Sequence, residues 1–242
     1  AAWLNHIGSP MPQNYVQKIL DAQIYDWAVE TPVDQAPLLS QRLNNTVLLK
    51  REDLQPVFSF KLRGAYNKLR HLSKQQLATG VVAASAGNHA QGLALAAKKM
   101  GVSATIVMPR TTPRIKVDAV RSRGAEVVLV GDDYDAAAAH ADQLVAELGL
   151  TYIHPFDDPD VIAGQGTIGM EILRQLPGDL DAIFIAVGGG GLCAGIAAYV
   201  KQLRPEIKII AVESDDAACL DAAIKAGRRV RLKEVGIFAD GT

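Results

Sequence analysis

Three short stretches of this chain hold residue types that could do chemistry. The first is SFKLRGAYNKL at 59–69, where Lys61 stands between a turn, LQPVFS, and a run with Ala65, Leu69 and Leu72 on one helical face. An amine at the junction of a loop and a helix's first turn is held rigidly. If it can also lose its proton, it becomes a nucleophile toward carbonyl groups. Most lysines are ordinary solvated residues, so Lys61 gains meaning only from its companions. The second stretch is VGGGGLCAG, in which Gly188–Gly191 and Leu192 follow the apolar strand DAIFIA and open a helix. Bare backbone and the unpaired N–H groups of a helix start converge on an anion, and phosphate is the natural one. The competing reading is a tight strand-to-helix turn that binds nothing, for which four glycines are costly in entropy. The third is ASAGNHAQG at 84–92, again between a strand and a helix. Ser85 and Asn88 suit a carboxylate or a ring hydroxyl, or else cap the helix. His89 reads as a structural histidine, hydrogen-bonded in place, rather than a base.

The elements that must position these residues follow from hydrophobic spacing and turn chemistry. Residues 1–14 read as irregular. Residues 15–30 read as a helix with Val16, Ile19, Leu20 and Ile24 on one side, TPVDQAPLLSQRL as a loop and TVLLKRED as a short strand. From residue 81 strands and helices alternate. The strands are VVAAS, SATIVMP, AEVVLV, TYIHPF, DAIFIAV and KIIAVE. The helices are AQGLALAAKKMG, TPRIKVDAVRSRG with Thr112 as N-cap and Pro113 at its first position, Tyr134–Leu148, DVIAGQGTIGMEILRQL with Asp160 as candidate cap, and GLCAGIAAYVKQL. The strands are continuous apolar runs, which fits parallel strands covered on both faces by crossover helices. The expected class is α/β. The expected division is a small parallel-sheet domain at 79–155, with 1–78 and 156–242 joining into a larger one and a cofactor cleft between them.

Composition removes several classes. The 242 residues carry 25 Lys and Arg against 26 Asp and Glu, a net charge of -1, so no basic excess points to nucleic acid or to an anionic membrane. Residues 1–30 hold no continuous apolar segment of the kind a signal peptide or membrane span needs. Two cysteines, Cys193 and Cys219, form no CxxC pair or disulfide framework, which suits a reduced, cytoplasmic protein. The five histidines lack ligand spacing, and no metal site is expected.

A phosphate cup, a placed lysine and a polar loop at a strand end are together what pyridoxal 5'-phosphate requires. One rival uses the same glycines. GGGLCA at 189–194 fits G-x-G-x-x-A, a strand precedes it, and Glu213 ends the next strand, so a nicotinamide-dependent oxidoreductase is the alternative. That reading leaves the first half of the chain unexplained.

The whole chain resembles the catalytic domain of the biosynthetic threonine deaminases (threonine ammonia-lyases), members of the tryptophan synthase β-like, fold type II pyridoxal phosphate enzymes. The resemblance runs from about residue 30 to the last residue. It is carried by KRED at 50–53, SFKLRGAYN at 59–67, SAGNHAQG at 85–92, IKVDAVR at 115–121, IAGQGT at 162–167, VGGGGL at 187–192 and AVE at 211–213. It implies two parallel-sheet α/β subdomains with the cofactor between them. It implies that Lys61 is the Schiff-base residue, that Phe60 packs near the cofactor ring, and that Asn88 bonds to the ring hydroxyl. Ser85 becomes a contact of the substrate carboxylate, and Gly188, Gly189, Gly190, Gly191 and Leu192 hold the phosphate. The implied reaction converts L-threonine to 2-oxobutanoate and ammonia, the first step of isoleucine biosynthesis, with L-serine giving pyruvate as a side activity. The implied assembly is a homo-oligomer.

Departures from the family pattern sharpen these expectations. Serine racemases of the group carry a second serine where this chain has Ala86, so elimination is expected and racemisation is not. Glu213 matches the start of a divalent-metal site in those relatives, but Cys219 stands where a later acidic ligand would be, so that metal is not expected. The family's serine partner of the pyridine nitrogen and its regulatory domain fall after residue 242, which implies a truncated chain. The 242 residues alone are then expected to be weak or inactive, or to act by binding only.

Overall fold

The computed structural model describes residues 14–232, 235–236 and 239. Expectations about residues 1–13 fall outside the described residues. The first helix, α1 (Asn14–Leu20), is followed by an antiparallel hairpin of β1 (Val33–Gln35) and β2 (Leu48–Lys50) enclosing α2 (Pro37–Leu43). A 3-10 turn at Glu52–Leu54 leads into α3 (Lys61–Arg70) and α4 (Lys74–Thr79). Then β3 (Val81–Ala84), α5 (Asn88–Met100), β4 (Ala104–Met108), α6 (Arg114–Ser122), β5 (Glu126–Leu129), α7 (Tyr134–Leu148) and β6 (Thr151–Tyr152) build one parallel sheet in the order β5-β4-β3-β6. After α8 (Pro159–Gln175), β7 (Ala182–Ala186) and β8 (Lys208–Val212) pair in parallel around α9 (Gly191–Leu203). The last described helix is α10 (Cys219–Ala226).

The α/β class and the parallel strands hold, and β3 shows why its run is apolar at every position. Val81 and Ala83 face a cluster with Leu62 and Leu93 of α3 and α5. Val82 and Ala84 face Ala137 and Ala141 of α7. The β7–β8 pair departs from the two-faced expectation. Ile185 packs inward against Ile168 and Ile196, whereas Phe184 is 68% exposed on the other face.

Other boundaries shift for identifiable reasons. The expected helix at 15–30 ends at Leu20, because Ile19 serves a cluster with Ala163 and Tyr199 while Ile24 and Ala28 serve the one beneath α3. The stretch read as a loop at 31–43 contains β1 and α2, the latter started by Pro37 at its first position. Pro113 occupies the cap of α6 in place of Thr112. Its ψ of 137° is extended, and its carbonyl accepts the first helical N–H groups, from Lys116 and Val117. Asp158, not Asp160, caps α8 by accepting from the backbone N–H groups of Asp160 and Val161. Asp160 instead pairs with Lys18 and Lys68. The expected strand TYIHPF keeps only two residues, because the chain leaves the sheet after the Ile153 N–H bonds Val82.

Helix α8 joins the parts that carry the candidate residues. A Cβ on its Gly164 would lie 2.7 Å from the Arg63 carbonyl of α3, and one on Gly64 of α3 would lie 2.7 Å from the Val161 carbonyl of α8. One turn on, a Cβ on Gly195 of α9 would lie 2.7 Å from the Gly166 nitrogen. No side chain fits at these crossings, so the helices meet backbone to backbone. Gly164→Ala and Gly195→Ala should each lower the free energy of unfolding by about 1–3 kcal/mol, the usual cost of overpacking. Gly178→Ala, where nothing lies within 4 Å of the new Cβ, should stay within about 0.5 kcal/mol of the parent. Urea denaturation midpoints of the three variants check this.

Candidate active site

Lys61 is the first residue of α3, with Phe60 at the cap position. Its backbone N–H donates to the Ser59 hydroxyl at 3.3 Å. The start of α5 packs directly against it. A Cβ on Gly92 would lie 3.0 Å from the Lys61 carbonyl carbon, so that glycine lets the ASAGNHAQG loop and the lysine come together. The Lys61 Nζ donates to the Pro155 carbonyl at 2.8 Å and sits 5.4 Å from the centroid of the Phe60 ring. Among the described residues no carboxylate pairs with it. Burial without a counter-charge disfavours the ammonium and lowers the pKa to about 8.

The segment that receives this amine is itself tied down. His89, on the first turn of α5, bonds the Ile153 carbonyl through Nε2 at 2.9 Å. Its burial, followed by the nearby Lys61 charge, lowers its pKa to about 3, so the ring stays neutral and its Nδ1 is a buried atom without a partner. This is the structural histidine read from the sequence. His154 accepts from the N–H groups of Phe156 and Asp157 at 3.2 and 2.8 Å, and burial lowers its pKa too. The Phe156 ring stands edge-on to His154, centroids 4.6 Å apart.

Phe156 connects the lysine side to the glycine run. A Cβ on Gly189 would collide with its ring, and one on Gly191 would lie 2.6 Å from its carbonyl oxygen. Gly190 caps α9 at φ 88°, a left-handed conformation that disfavours any side chain, and no side chain caps the helix. Three of the four glycines thus have a local steric or conformational reason, in line with the competing reading of a tight strand-to-helix turn. Replacing Gly189 or Gly190 therefore strains the fold as well as any anion site. Leu192 and Phe60 pack against one cluster, with Ile168, Ile196 and Val200, which joins the start of α9 to the residue before Lys61.

At the third piece, Ser85 is partly buried, and its hydroxyl accepts from the Gly87 N–H at 3.3 Å. Asn88 is exposed at the first position of α5, whose cap residue Gly87 supplies no side chain. Neither residue acts as a side-chain cap for α5. Glu213, the acidic residue of the dinucleotide reading, is occupied otherwise. Its carboxylate accepts from the Leu220 and Asp221 N–H groups at 2.9 and 3.0 Å, and the Cys219 thiol lies 3.5 Å away. That reading loses its ribose acceptor.

The donor set suits a phosphorylated carbonyl compound. An uncapped helix start that admits no side chain can take a phosphate, and a buried amine with no carboxylate partner and a lowered pKa can take a carbonyl. Sequence reasoning missed Pro155 and Phe156, the contacts between the two. They lie in a stretch read as strand, and no residue type there signals a site.

Comparison with known proteins agrees with this chemistry. The family described as "Pyridoxal-phosphate dependent enzyme" matches residues 24–242. The biosynthetic L-threonine dehydratase of Burkholderia multivorans is 60% identical over 232 residues, covering 95% of this chain and 46% of that protein. The Escherichia coli biosynthetic L-threonine dehydratase is 53% identical over 234 residues, covering 97% of this chain and 45% of its own length. The chain therefore spans less than half the length of these relatives. The processed form of threonine deaminase isoform 2 from Solanum lycopersicum superposes with a TM-score of 0.92 at 49% identity, covering 98% of this chain and 70% of that one. Maize serine racemase gives 0.88 at 33% identity, covering 91% and 68%.

The lowered pKa of Lys61 has a consequence for stability. Between pH 8 and the unfolded lysine value of about 10.4 the unfolded chain holds more protons at this site, so unfolding free energy rises with pH across that window. Lys61→Met should abolish this local rise. Urea titrations from pH 7 to 10.5 on both proteins measure the difference in slope.

Proposed function

Because this chain belongs to the pyridoxal-phosphate-dependent enzyme family, we propose that it is the catalytic part of a threonine deaminase. The whole protein would convert L-threonine to 2-oxobutanoate and ammonia, with L-serine as a lesser substrate. The observation that carries this reading is the pairing of an uncompensated Lys61 amine, joined through Pro155 and Phe156, to a glycine-built helix start. The names of the relatives support it, as they are threonine dehydratases.

Pyridoxal phosphate, when bound, supplies an aldehyde for amine exchange and a ring that spreads negative charge from the substrate's α-carbon. The rest is the work of this chain. Backbone N–H groups at 188–192 would hold the phosphate at the positive end of α9. Asn88 would donate to the ring hydroxyl, and Ser85 with the neighbouring N–H groups would hold the substrate carboxylate. Phe60 would lie beside the ring. Lys61, with a pKa of about 8, is close enough to neutrality to give up and take back a proton at Nζ. Its fixed seat at the start of α3 sets which proton it can reach. Ala86 offers no hydroxyl for a second acid–base group, which favours elimination over racemisation.

The same proposal places the protein in the cytoplasm, where Cys193 and Cys219 stay free thiols. No helix among the described residues is long and apolar enough to cross a membrane. A homo-oligomer of the whole protein also belongs to it. Exposed apolar residues such as Phe184 and Leu38 are surface that a partner or further chain would cover.

The test is keto-acid release from L-threonine and L-serine by the longer protein that carries these residues, and by the 242-residue chain beside it. The longer protein should release 2-oxobutanoate, with Lys61→Ala reducing the rate on the order of a thousandfold or more. Release of keto acid by neither, or an unchanged rate in Lys61→Ala, would overturn the reading.

A further inference from the structure

The KRED motif at 50–53 bears charged residues, but none of them belongs to the site just described. Two of them close instead around a buried arginine two residues beyond Lys61. Arg63 is fully buried, and its guanidinium is shared between two carboxylates. Nε and Nη2 reach Glu52 at 2.8 and 2.7 Å, while Nη1 and Nη2 reach Glu171 of α8 at 2.5 and 2.9 Å. Nη1 also donates to the Thr167 hydroxyl and Nη2 to the Val29 carbonyl, both at 3.1 Å. Lys50 pairs with Glu171 at 2.6 Å, and the Tyr25 hydroxyl donates to the same carboxylate at 2.8 Å. Thr31 and Gln55 complete the ring of donors on Glu52, at 2.6 and 3.2 Å. Two cations and two anions cancel, and each has several hydrogen-bond partners.

Such a network is a poor way to gain stability. Well-packed apolar side chains of similar volume are often as good or better in place of a buried ion pair. What the network does supply is direction. The guanidinium is planar and binds each carboxylate through two N–H groups, so it fixes both the rotation and the axial position of the turn that carries it. That turn is the first of α3, and the Arg63 carbonyl is the atom pressed against Gly164. We propose that the Arg63–Glu171–Glu52–Lys50 network is a positioning device for Lys61, setting the first turn of α3 so that the amine meets the Pro155 carbonyl inside the protein. The proposal deepens the reading of Lys61 as the reactive amine.

Its test uses the protein without cofactor or substrate, so failure of the cofactor reading does not obscure the outcome. Each lysine is acetylated with trace acetic anhydride from pH 6 to 11, and labelling is read peptide by peptide in mass spectrometry. Lys225, with a side chain 75% exposed, serves as the ordinary reference. His89 and His154, the titratable groups beside Lys61, both have pKa values lowered by burial. Half-labelling of Lys61 should fall near pH 8 in the parent. Two variants are compared. Arg63→Lys keeps the charge and loses the fork; Arg63→Met with Glu171→Met replaces the central pair by apolar side chains. In both, circular dichroism should report a folded protein. The Lys61 half-labelling point should move up by about one pH unit, a roughly fivefold loss of neutral amine at pH 8, as the amine gains water. A folded variant with Lys61 labelling unchanged would overturn the proposal and leave the network structural. Failure of the double variant to fold would also overturn it, since the network would then serve stability first.

Discussion

Where Gly164 of α8 meets the Arg63 carbonyl of α3, two helices touch main chain to main chain, and the seat of Lys61 follows from that contact. The next small residues on α8 repeat the device toward α9, through Gly166 and Gly195, and Gly92 of α5 does the same against Lys61 itself. The lysine, the polar loop and the glycine run each open a helix. Their relative positions are therefore set by helix crossings that contain almost no compressible side-chain volume. A close crossing strips water from backbone and polar groups, and each must then find a partner. Gln165 answers for the Gly64 N–H at 3.2 Å, Thr167 bonds the Gly164 carbonyl at 2.6 Å, and Arg63 and Glu171 answer for each other. The IAGQGT run is thus a row of backbone contacts and their compensations, alternating between two neighbouring helices.

Charge is distributed unevenly around this scaffold. The carboxylate of Glu171 is buried, which alone would raise its pKa. The hydrogen bond and charge of Arg63, with Lys50 and Tyr25, hold it below the usual carboxylate range instead. Removing one member of such a pair typically costs about 3–5 kcal/mol, because the other is left as an unpaired buried charge. Two residues away, Lys61 has no such partner, and burial works against its charge unopposed. One turn of helix therefore holds a cation whose charge is compensated by two carboxylates and another whose charge burial disfavours. The His89 and His154 rings, both with pKa values lowered by burial, line the second environment and add no carboxylate to it.

Much of this fold was legible in the sequence. The bounds of α7 and α9 follow from their spacing and flanking glycines, and β3 and β4 from apolar runs that the sheet buries. The errors lie where tertiary structure overrode local pattern. The helix at 15–30 broke because Ile19 and Ile24 belong to different clusters, and β6 was cut short because the Ile153 carbonyl goes to His89. At the site, Lys61 and the glycines announce themselves by type and spacing, but their partners do not. Arg63 looks like any surface arginine until Glu171, 108 positions away, is known to face it. Phe156 is an unremarkable aromatic until Gly189 is found beneath it. Contacts between distant elements have no signature in one sequence, whereas punctuation and periodicity do.

The central claim is that this scaffold presents one particular amine to pyridoxal phosphate. The most direct measurement is to mix the protein with pyridoxal phosphate, reduce with borohydride, digest, and map the pyridoxyl label by mass spectrometry. The label is expected on Lys61 at about one per chain, with the other lysines unmodified at equimolar cofactor. A label on a different lysine, or one spread evenly over exposed lysines such as Lys225, would contradict the account.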